Sequence, residues 1–268
     1  MSLFNVNGVD YYVAVEGCGS PLLMLHGFSG SSVDWEPLIA EWLLRYQIIL
    51  VDVLGHGRSA KPSDPHRYSM ANVAADLVAI LAELGLEPVH LLGYSMGGRL
   101  ALYTAVQYPH LIHNLILESA SPGLASADER QQRRQHDTAL ADFIEAEGIP
   151  AFVDRWEGLP LWQSQSQLSP VIREQVHQQR LKNDPFGLAN SLRGMGTGQQ
   201  PPLWQHLADL DIPVLLLSGQ LDTKFGAINQ KMAAQLPQAT YHEIDGAGHT
   251  VHLERPGVFS DLIMRWLA

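Results

Sequence analysis

Short apolar runs alternate with amphipathic stretches along most of the chain, and this alternation predicts the fold. Continuous apolar runs are typical of strands in a parallel sheet that is covered on both faces. Such runs occur at Pro21–Leu25, Gln47–Val53, Val89–Gly93, Leu111–Leu117, Ile212–Ser218 and Thr240–Ile244. Amphipathic patterns between them, such as Asn72–Leu84 and Met96–Gln107, predict helices. We therefore expect an α/β fold with a mostly parallel central sheet flanked by helices.

The two ends of this pattern differ from its middle. At the start, Leu3–Val6 and Tyr11–Glu16 are separated by Asn7-Gly8 and predict a β-hairpin. In the middle, from about residue 122 to residue 202, strand-like runs are missing and helical spacing appears at Ala127–Glu147 and Val171–Leu181. The sequence thus predicts a core of residues 1–121 and 203–268, with residues 122–202 inserted as a helical cap.

The amino-acid composition limits the classes of partner that the protein is expected to bind. A length of 268 residues fits one domain with an insertion, and the net charge of −11 argues against a partner such as nucleic acid or an anionic membrane. The single cysteine, Cys18, cannot form an internal disulfide, and no run is apolar enough to span a membrane. Without a basic, apolar leader at the N-terminus, we expect a cytoplasmic protein.

The segment Gly93-Tyr94-Ser95-Met96-Gly97 carries the strongest chemical signal. It matches G-x-S-x-G directly after a predicted strand and before a predicted helix, the context of the nucleophile elbow in the α/β-hydrolase fold. An HG-x loop follows the strand Pro21–Leu25, so we expect the backbone N–H groups of Phe28 and Met96 to form an oxyanion hole. His26, in the same loop, is expected to be structural.

A serine nucleophile needs a base and an acid that orients the base. In the chain order serine, acid, histidine, His249 is the preferred base over His56, and Asp222 is the preferred acid, with Glu118 as its main rival. Asp245 is too close in sequence to His249 to be the first choice. His252 is expected to serve packing or to lie at the surface, and the His249-x-x-His252 spacing is weak support for a metal site.

Arginine is unusually frequent: the chain has 13 arginines and four lysines, and seven of the arginines lie in the predicted cap. Arg99 follows Ser95 by one helical turn, where a cation suits an anionic substrate better than a neutral ester. The alternative is a surface arginine paired with a carboxylate. The cap adds Arg133, Arg134, Arg180 and Arg193, which either face one pocket or are solvated. Trp156 fits a pocket wall or a core position equally well.

Several stretches resemble the 2-succinyl-6-hydroxy-2,4-cyclohexadiene-1-carboxylate synthase family of menaquinone and phylloquinone biosynthesis. LHG and G-x-S-x-G mark only the superfamily, whereas the Arg after SMGG, LRGMGTGQQP and LDTKF are more specific. The stretches are LHGFSGSSVDW, DVLGHGRS, GYSMGGRLAL, SPGL with the following ER, GLANSLRGMGTGQQPPLW, GQLDTKF and DGAGHTVHLERP.

The resemblance covers nearly the whole chain and implies a cofactor-free, metal-free lyase acting on a small polycarboxylate. It implies a triad of Ser95, Asp222 and His249 and oxyanion donors at Phe28 and Met96. The implied substrate-binding residues are Tyr94, Arg99, Arg133 (with Arg134 as the alternative), Trp156 and Arg180.

Two other functions use the same residues. A serine hydrolase of an acidic ester or a carbon–carbon bond would need the same triad and would form an acyl-enzyme. A non-catalytic ligand-binding protein of this fold is the second alternative, which the intact triad disfavours. The oligomeric state is left open, with a monomer possible.

Overall fold

The computed structural model describes residues 2–268, and an eight-stranded sheet runs through it. Its strands are β1 (Ser2–Val6), β2 (Val9–Gly17), β3 (Ser20–Leu25), β4 (Tyr46–Val51), β5 (Val89–Tyr94), β6 (Ile112–Glu118), β7 (Val214–Gly219) and β8 (Ala239–Ile244). Their order is β1-β2-β4-β3-β5-β6-β7-β8; the two pairs that contain β2 are antiparallel, and the remaining pairs are parallel. The expected α/β fold with a mostly parallel sheet is confirmed.

The N-terminal hairpin is also as predicted. Val6 pairs with Val9, so Asn7 and Gly8 form a two-residue turn. Both turn residues have positive φ, 49° for Asn7 and 80° for Gly8, which is the conformation that Asn-Gly adopts readily in such hairpins.

Helices cover both faces of the sheet. The helices are α1 (Glu36–Trp42), α2 (Met70–Leu84), α3 (Met96–Gln107), α4 (Ala127–Glu157), α5 (Pro170–Leu181), α6 (Pro185–Met195), α7 (Thr223–Ala233), α8 (Val251–Glu254) and α9 (Pro256–Trp266). Alternate residues of β3 show the layering: Leu23 and Leu25 pack in the cluster that includes α2 and α3, whereas Leu22 and Met24 pack in the cluster that includes α1 and α9. Because both faces are buried, the central strands are continuously apolar.

One strand differs from its prediction. The Thr240–Ile244 run was expected to be buried on both faces, but β8 lies at the edge of the sheet and only Ile244 in it is buried. Thr240, His242 and Glu243 are exposed, which their polar side chains allow. An edge strand with charged residues avoids pairing with other chains.

Helices α4, α5 and α6 lie between β6 and β7, and residues 119–213 contain no strand. Helix α4 is interrupted at Gly148, whose φ of 79° and ψ of 176° are not helical, so its first part ends where the sequence pattern predicted. Leu140 and Phe152 from the two parts of α4 pack with Leu188 of α6 in a separate apolar cluster. The limits 122 and 202 for the cap remain a prediction.

Candidate active site

Ser95 occupies a sharp turn between β5 and α3. Its φ is 51° and its ψ is −107°, a strained conformation for a residue with a side chain, which costs on the order of 1–3 kcal/mol. The flanking glycines allow the turn: a Cβ on Gly93 would overlap the Gly97 carbonyl, and one on Gly97 would overlap the Leu25 and His26 carbonyls. The strand, the turn and the helix thus place the Ser95 hydroxyl at the N-terminus of α3.

Ser95, His249 and Asp222 form a continuous hydrogen-bonded chain. The Ser95 Oγ lies 3.0 Å from His249 Nε2, and His249 Nδ1 lies 2.6 Å from Asp222 Oδ2. A carboxylate only accepts, so Nδ1 carries the proton and Nε2 is free to accept from the serine hydroxyl. The structure therefore brings together the three residues that the sequence predicted, in the arrangement of a relay.

Neighbouring groups hold Asp222 and His249 in position. Asp222 caps the N-terminus of α7 and accepts from the Phe225 backbone N–H at 3.3 Å, so one of its oxygens is fixed while the other faces His249. The His249 ring lies against Phe225 and Trp162, with ring centroids 4.7 and 5.6 Å away. Both His249 and Asp222 are buried, and little water can compete for their hydrogen bond.

Glu118, the rival acid, has a different partner. Its carboxylate accepts from His252, with Oε2 2.7 Å from Nδ1 and Oε1 3.0 Å from the backbone nitrogen. Burial alone would lower the pKa of His252, but the charge and hydrogen bond of Glu118 outweigh it and raise that pKa. His252 is therefore a buried, paired side chain that borders a neighbouring cavity, and Glu118 does not orient His249.

A cavity of about 540 Å³ opens above Ser95 and His249. Phe28 and Met96 line it, and among residues 2–268 no acceptor is found for either backbone N–H, so both donors are available to a bound oxygen. His26, in contrast, uses both ring nitrogens in backbone contacts, with Gly27 O at 2.8 Å and the Val53 nitrogen at 3.0 Å, which fits its expected structural role.

Arg99 and Arg133 both line this cavity. The acceptors that Arg99 reaches in the described part of the chain are neutral: its Nη1 donates to the Met195 carbonyl at 2.9 Å and to Gln200 Oε1 at 3.3 Å. Burial and the nearby charge of Arg133 lower the pKa of Arg99 to about 10, so it is still protonated at neutral pH. Arg99 is thus not the surface arginine paired with a carboxylate that the sequence left possible.

Arg133 and Arg134 are distinguished by their directions on α4. Arg133 reaches the cavity and donates through Nε to Asp137 Oδ1 at 2.7 Å, which leaves its terminal nitrogens for other contacts. Arg134 does not line the cavity, and its Nη1 donates to the Gly198 carbonyl at 3.1 Å. Arg193, another cap arginine, forms ion pairs with Asp142 and Glu145.

Arg180 borders a different cavity from Arg99 and Arg133. It lines a neighbouring cavity of about 450 Å³ and not the one above Ser95, and its Nη1 lies 2.8 Å from Glu157 Oε1. Its guanidinium also lies 5.1 Å from the centre of the Trp162 ring. Arg180 thus does not line the same cavity as Arg99 and Arg133, and Glu157 and the Trp162 ring hold its guanidinium. Its role in substrate binding stays a prediction.

The two remaining predicted residues, Trp156 and Tyr94, form part of the wall of the cavity above Ser95. Trp156 lines the cavity beside Phe28, with ring centroids 5.5 Å apart, and its Nε1 is buried without a partner among residues 2–268. The Tyr94 ring borders both cavities, but its hydroxyl is engaged with Thr250 Oγ1 at 3.0 Å. Tyr94 therefore offers a substrate its ring and not its hydroxyl.

Two lysines of α7 also line the cavity, and sequence analysis did not single them out. Lys224 and Lys231 are seven residues apart, which places them on one face of the helix two turns apart. Half of the chain's four lysines thus border one cavity. Their spacing after Asp222 was the signal that could have identified them.

No group of three or more His, Cys, Asp and Glu side chains is arranged to hold a metal ion within residues 2–268. Over the same range, no helix is both long and apolar enough to cross a membrane.

The fold and this site define a class, and comparisons with known proteins agree with it. The family model for the alpha/beta hydrolase fold matches residues 20–256. A Bacillus subtilis (strain 168) protein provisionally named 2-succinyl-6-hydroxy-2,4-cyclohexadiene-1-carboxylate synthase is 44% identical over 97% of this chain and 96% of its own length. The synthase of that name from Pectobacterium atrosepticum is 34% identical over 92% of this chain and 93% of its own.

Among solved structures, that of MenH from S. aureus superimposes with a TM-score of 0.91 at 37% identity, covering 96% of this chain and 97% of the other. The chain is a member of the α/β-hydrolase family. Within it, the chain belongs to the 2-succinyl-6-hydroxy-2,4-cyclohexadiene-1-carboxylate synthases, which are lyases.

Proposed function

We propose that this protein eliminates pyruvate from 2-succinyl-5-enolpyruvyl-6-hydroxy-3-cyclohexene-1-carboxylate to give 2-succinyl-6-hydroxy-2,4-cyclohexadiene-1-carboxylate, a step of menaquinone or phylloquinone biosynthesis. The observation that carries the proposal is a single cavity that holds both the Ser95–His249 relay and Arg99, a cation without an acidic partner. A substrate with three carboxylates suits that cavity because Arg133, Lys224 and Lys231 also line it.

In this mechanism Ser95 acts as a base. The ring carbon beside the succinyl ketone loses a proton to the Ser95 oxygen as the serine proton moves to His249 Nε2. The electron pair left on carbon forms an enolate, whose oxygen accepts from the backbone N–H groups of Phe28 and Met96. Asp222 stabilises the imidazolium that forms on His249.

The enolate then collapses toward the ring. Its electrons form the conjugated diene and break the bond between the ring carbon and the enolpyruvyl oxygen. Enolpyruvate leaves, takes up the proton held by the relay and tautomerises to pyruvate. No water is added, and no bond forms between substrate and Ser95.

The arginines and Trp156 serve binding in this proposal. Arg99 and Arg133 pair with substrate carboxylates, and Trp156 and the Tyr94 ring enclose the ring of the substrate. Arg180 lines the neighbouring cavity and is paired with Glu157 through one terminal nitrogen, so the charge of Glu157 offsets part of its attraction for a substrate carboxylate. We therefore give it a smaller part than Arg99.

A serine hydrolase remains the second candidate, because the hydrogen-bonded Ser95, His249 and Asp222 would equally activate a nucleophile. The reaction products distinguish the lyase from the hydrolase. We expect purified protein to yield the conjugated diene and an equal amount of pyruvate, with no adduct on Ser95 in intact-protein mass spectrometry. A ring product one water heavier, or a trapped acyl-serine, would favour the hydrolase.

Ser95→Ala completes this experiment. It should remove nearly all turnover while leaving the fold, because the side chain is small and open to the cavity. Activity that persists in Ser95→Ala would contradict the relay, and a wild-type protein that turns over neither kind of substrate would favour the non-catalytic alternative.

A further inference from the structure

Gln200 is a buried residue at the end of the LRGMGTGQQP stretch, and nothing in the proposed mechanism uses it. It has no exposed surface and does not line the cavity above Ser95. Its amide is nevertheless hydrogen-bonded at both ends: Oε1 accepts from Arg99 at 3.3 Å, and Nε2 donates to the Ser121 carbonyl at 3.1 Å. Because an arginine only donates and a carbonyl only accepts, these two partners fix which way the amide points.

The backbone around Gln200 is fixed as well. The nitrogens of Gln199 and Gln200 both donate to the Gly196 carbonyl, at 2.9 and 3.1 Å. One residue before this turn, the Met195 carbonyl provides the other acceptor for Arg99, at 2.9 Å. The segment Met195–Gln200 therefore holds the Arg99 guanidinium from two points.

The same segment supports Arg133 in a different way. The Gly198 nitrogen donates to Asp137 Oδ2 at 3.3 Å, while Asp137 Oδ1 accepts from Arg133 at 2.7 Å. A Cβ on Gly196 would crowd that carboxylate, so the glycine is needed for the approach. Arg133 is thus anchored by a negative charge, whereas Arg99 is anchored by an amide and a carbonyl.

This difference has an electrostatic consequence. A buried arginine is usually paired with a carboxylate, which cancels most of its charge. An amide in that place supplies the hydrogen bond without adding a charge. The carboxylate that acts on Arg99, Asp137, is itself paired with Arg133, so the attraction of Arg99 for an anion in the cavity stays large. We propose that Gln200 is a positioning residue that holds Arg99 at the cavity while leaving its positive charge free for a substrate carboxylate.

The test replaces the amide by a carboxylate. In Gln200→Glu, Arg99 gains an internal partner at the same position, and the KM for the proposed substrate at pH 8 should rise about ten- to a hundredfold. Turnover at saturation should stay within about threefold, because the Ser95–His249 relay is untouched. The matched control is Gln199→Glu, which adds the same charge one residue away on an exposed side chain and should leave both constants unchanged.

A second readout does not depend on turnover, although the substrate assay rests on the proposed function. Citrate, a tricarboxylate, should raise the thermal midpoint of the wild type and of Gln199→Glu and should have little effect on Gln200→Glu, because a ligand stabilises only the state that binds it. Equal responses of all three proteins, including no response in any, would overturn the inference. A wild type that responds to citrate but lacks lyase activity would instead overturn the proposed function alone.

Gln200→Met covers the case in which the buried glutamate does not fold. Methionine keeps the length of the side chain and the charge of Arg99 but removes both hydrogen bonds. Citrate binding should weaken about three- to tenfold, less than in a folded Gln200→Glu, because the arginine loses its position and not its charge. Affinity equal to that of the wild type would show that the amide positions nothing.

Discussion

Arg99 and Arg180 show at the level of single residues how partners decide what a charge can do. Both side chains are positively charged, but their partners differ. Arg99 contacts a carbonyl and an amide, whereas Arg180 contacts Glu157 and the Trp162 ring. An anion entering the cavity gains the attraction of Arg99 directly. Its attraction to Arg180 is weaker, because the charge of Glu157 already offsets part of the charge of Arg180.

We therefore predict different kinetic effects. Arg99→Ala should lower kcat/KM about ten- to a hundredfold, since a charge-assisted hydrogen bond contributes about 1.5–3 kcal/mol. Arg180→Ala should lower it by less, and Arg99→Lys should recover only part of the loss because it keeps the charge without the planar fork. Steady-state kinetics of the three variants measure this, and a larger loss in Arg180→Ala than in Arg99→Ala would reverse the assignment.

A single glycine divides helix α4 into two parts. Gly148 has φ 79° and ψ 176°, a region that is essentially restricted to glycine, and the following Pro150 cannot supply a helical N–H. The break turns the second part of the helix so that Phe152 and Val153 reach the apolar cluster of the cap, and Trp156 reaches the cavity.

Gly148→Ala should destabilise the protein by about 1–3 kcal/mol through backbone strain alone. No contact adds to this cost, because the nearest atom to an added Cβ is Pro150 Cδ at 3.8 Å. Gly257→Ala is the matched control: it lies in α9 with nothing within 4 Å of an added Cβ and should stabilise by up to about 1 kcal/mol. Urea unfolding of both variants measures the free energies, and equal effects would show that the conformation of Gly148 costs alanine nothing.

Two buried histidines make the stability of the whole protein depend on pH. Burial, helped by the charge of His26, lowers the pKa of His56 from 6.5 to about 3. Between these values the unfolded chain binds a proton that the native protein does not, so stability falls as pH is lowered below 6.5. His252 has the opposite sign: its raised pKa stabilises the fold below pH 6.5, and that contribution is lost as pH rises through the raised value.

We expect His56 to contribute about 2 kcal/mol to the loss of stability between pH 7 and pH 5. Urea midpoints of the wild type and of His56→Gln across this range measure the contribution as a difference in slope. The variant should show the shallower dependence on pH even if it is less stable throughout. Parallel curves would mean that His56 accepts its proton in the native state as readily as in the unfolded one.

Local sequence patterns were sufficient to predict much of the fold and part of the candidate site. The apolar runs predicted the strands to within a few residues, because covering both faces of a parallel sheet requires them to be apolar throughout. The Asn7-Gly8 turn and the elbow at Ser95 were predicted for a similar reason, since each depends on backbone conformations that only a few neighbouring residues decide. Chain order then selected Asp222 and His249, which the structure places in contact with each other and with Ser95.

Only the tertiary structure decided which side chains share a space. Neighbours on a helix point about 100° apart, so sequence spacing could not separate Arg133 from Arg134 or place Arg180 outside the cavity. The partners of Glu118 and Gln200 come from segments 134 and 101 residues away, a separation that no local pattern encodes. The sequence determined the elements and the type of chemistry, because these depend on nearby residues, whereas packing of distant elements determined which charges are cancelled and which are free.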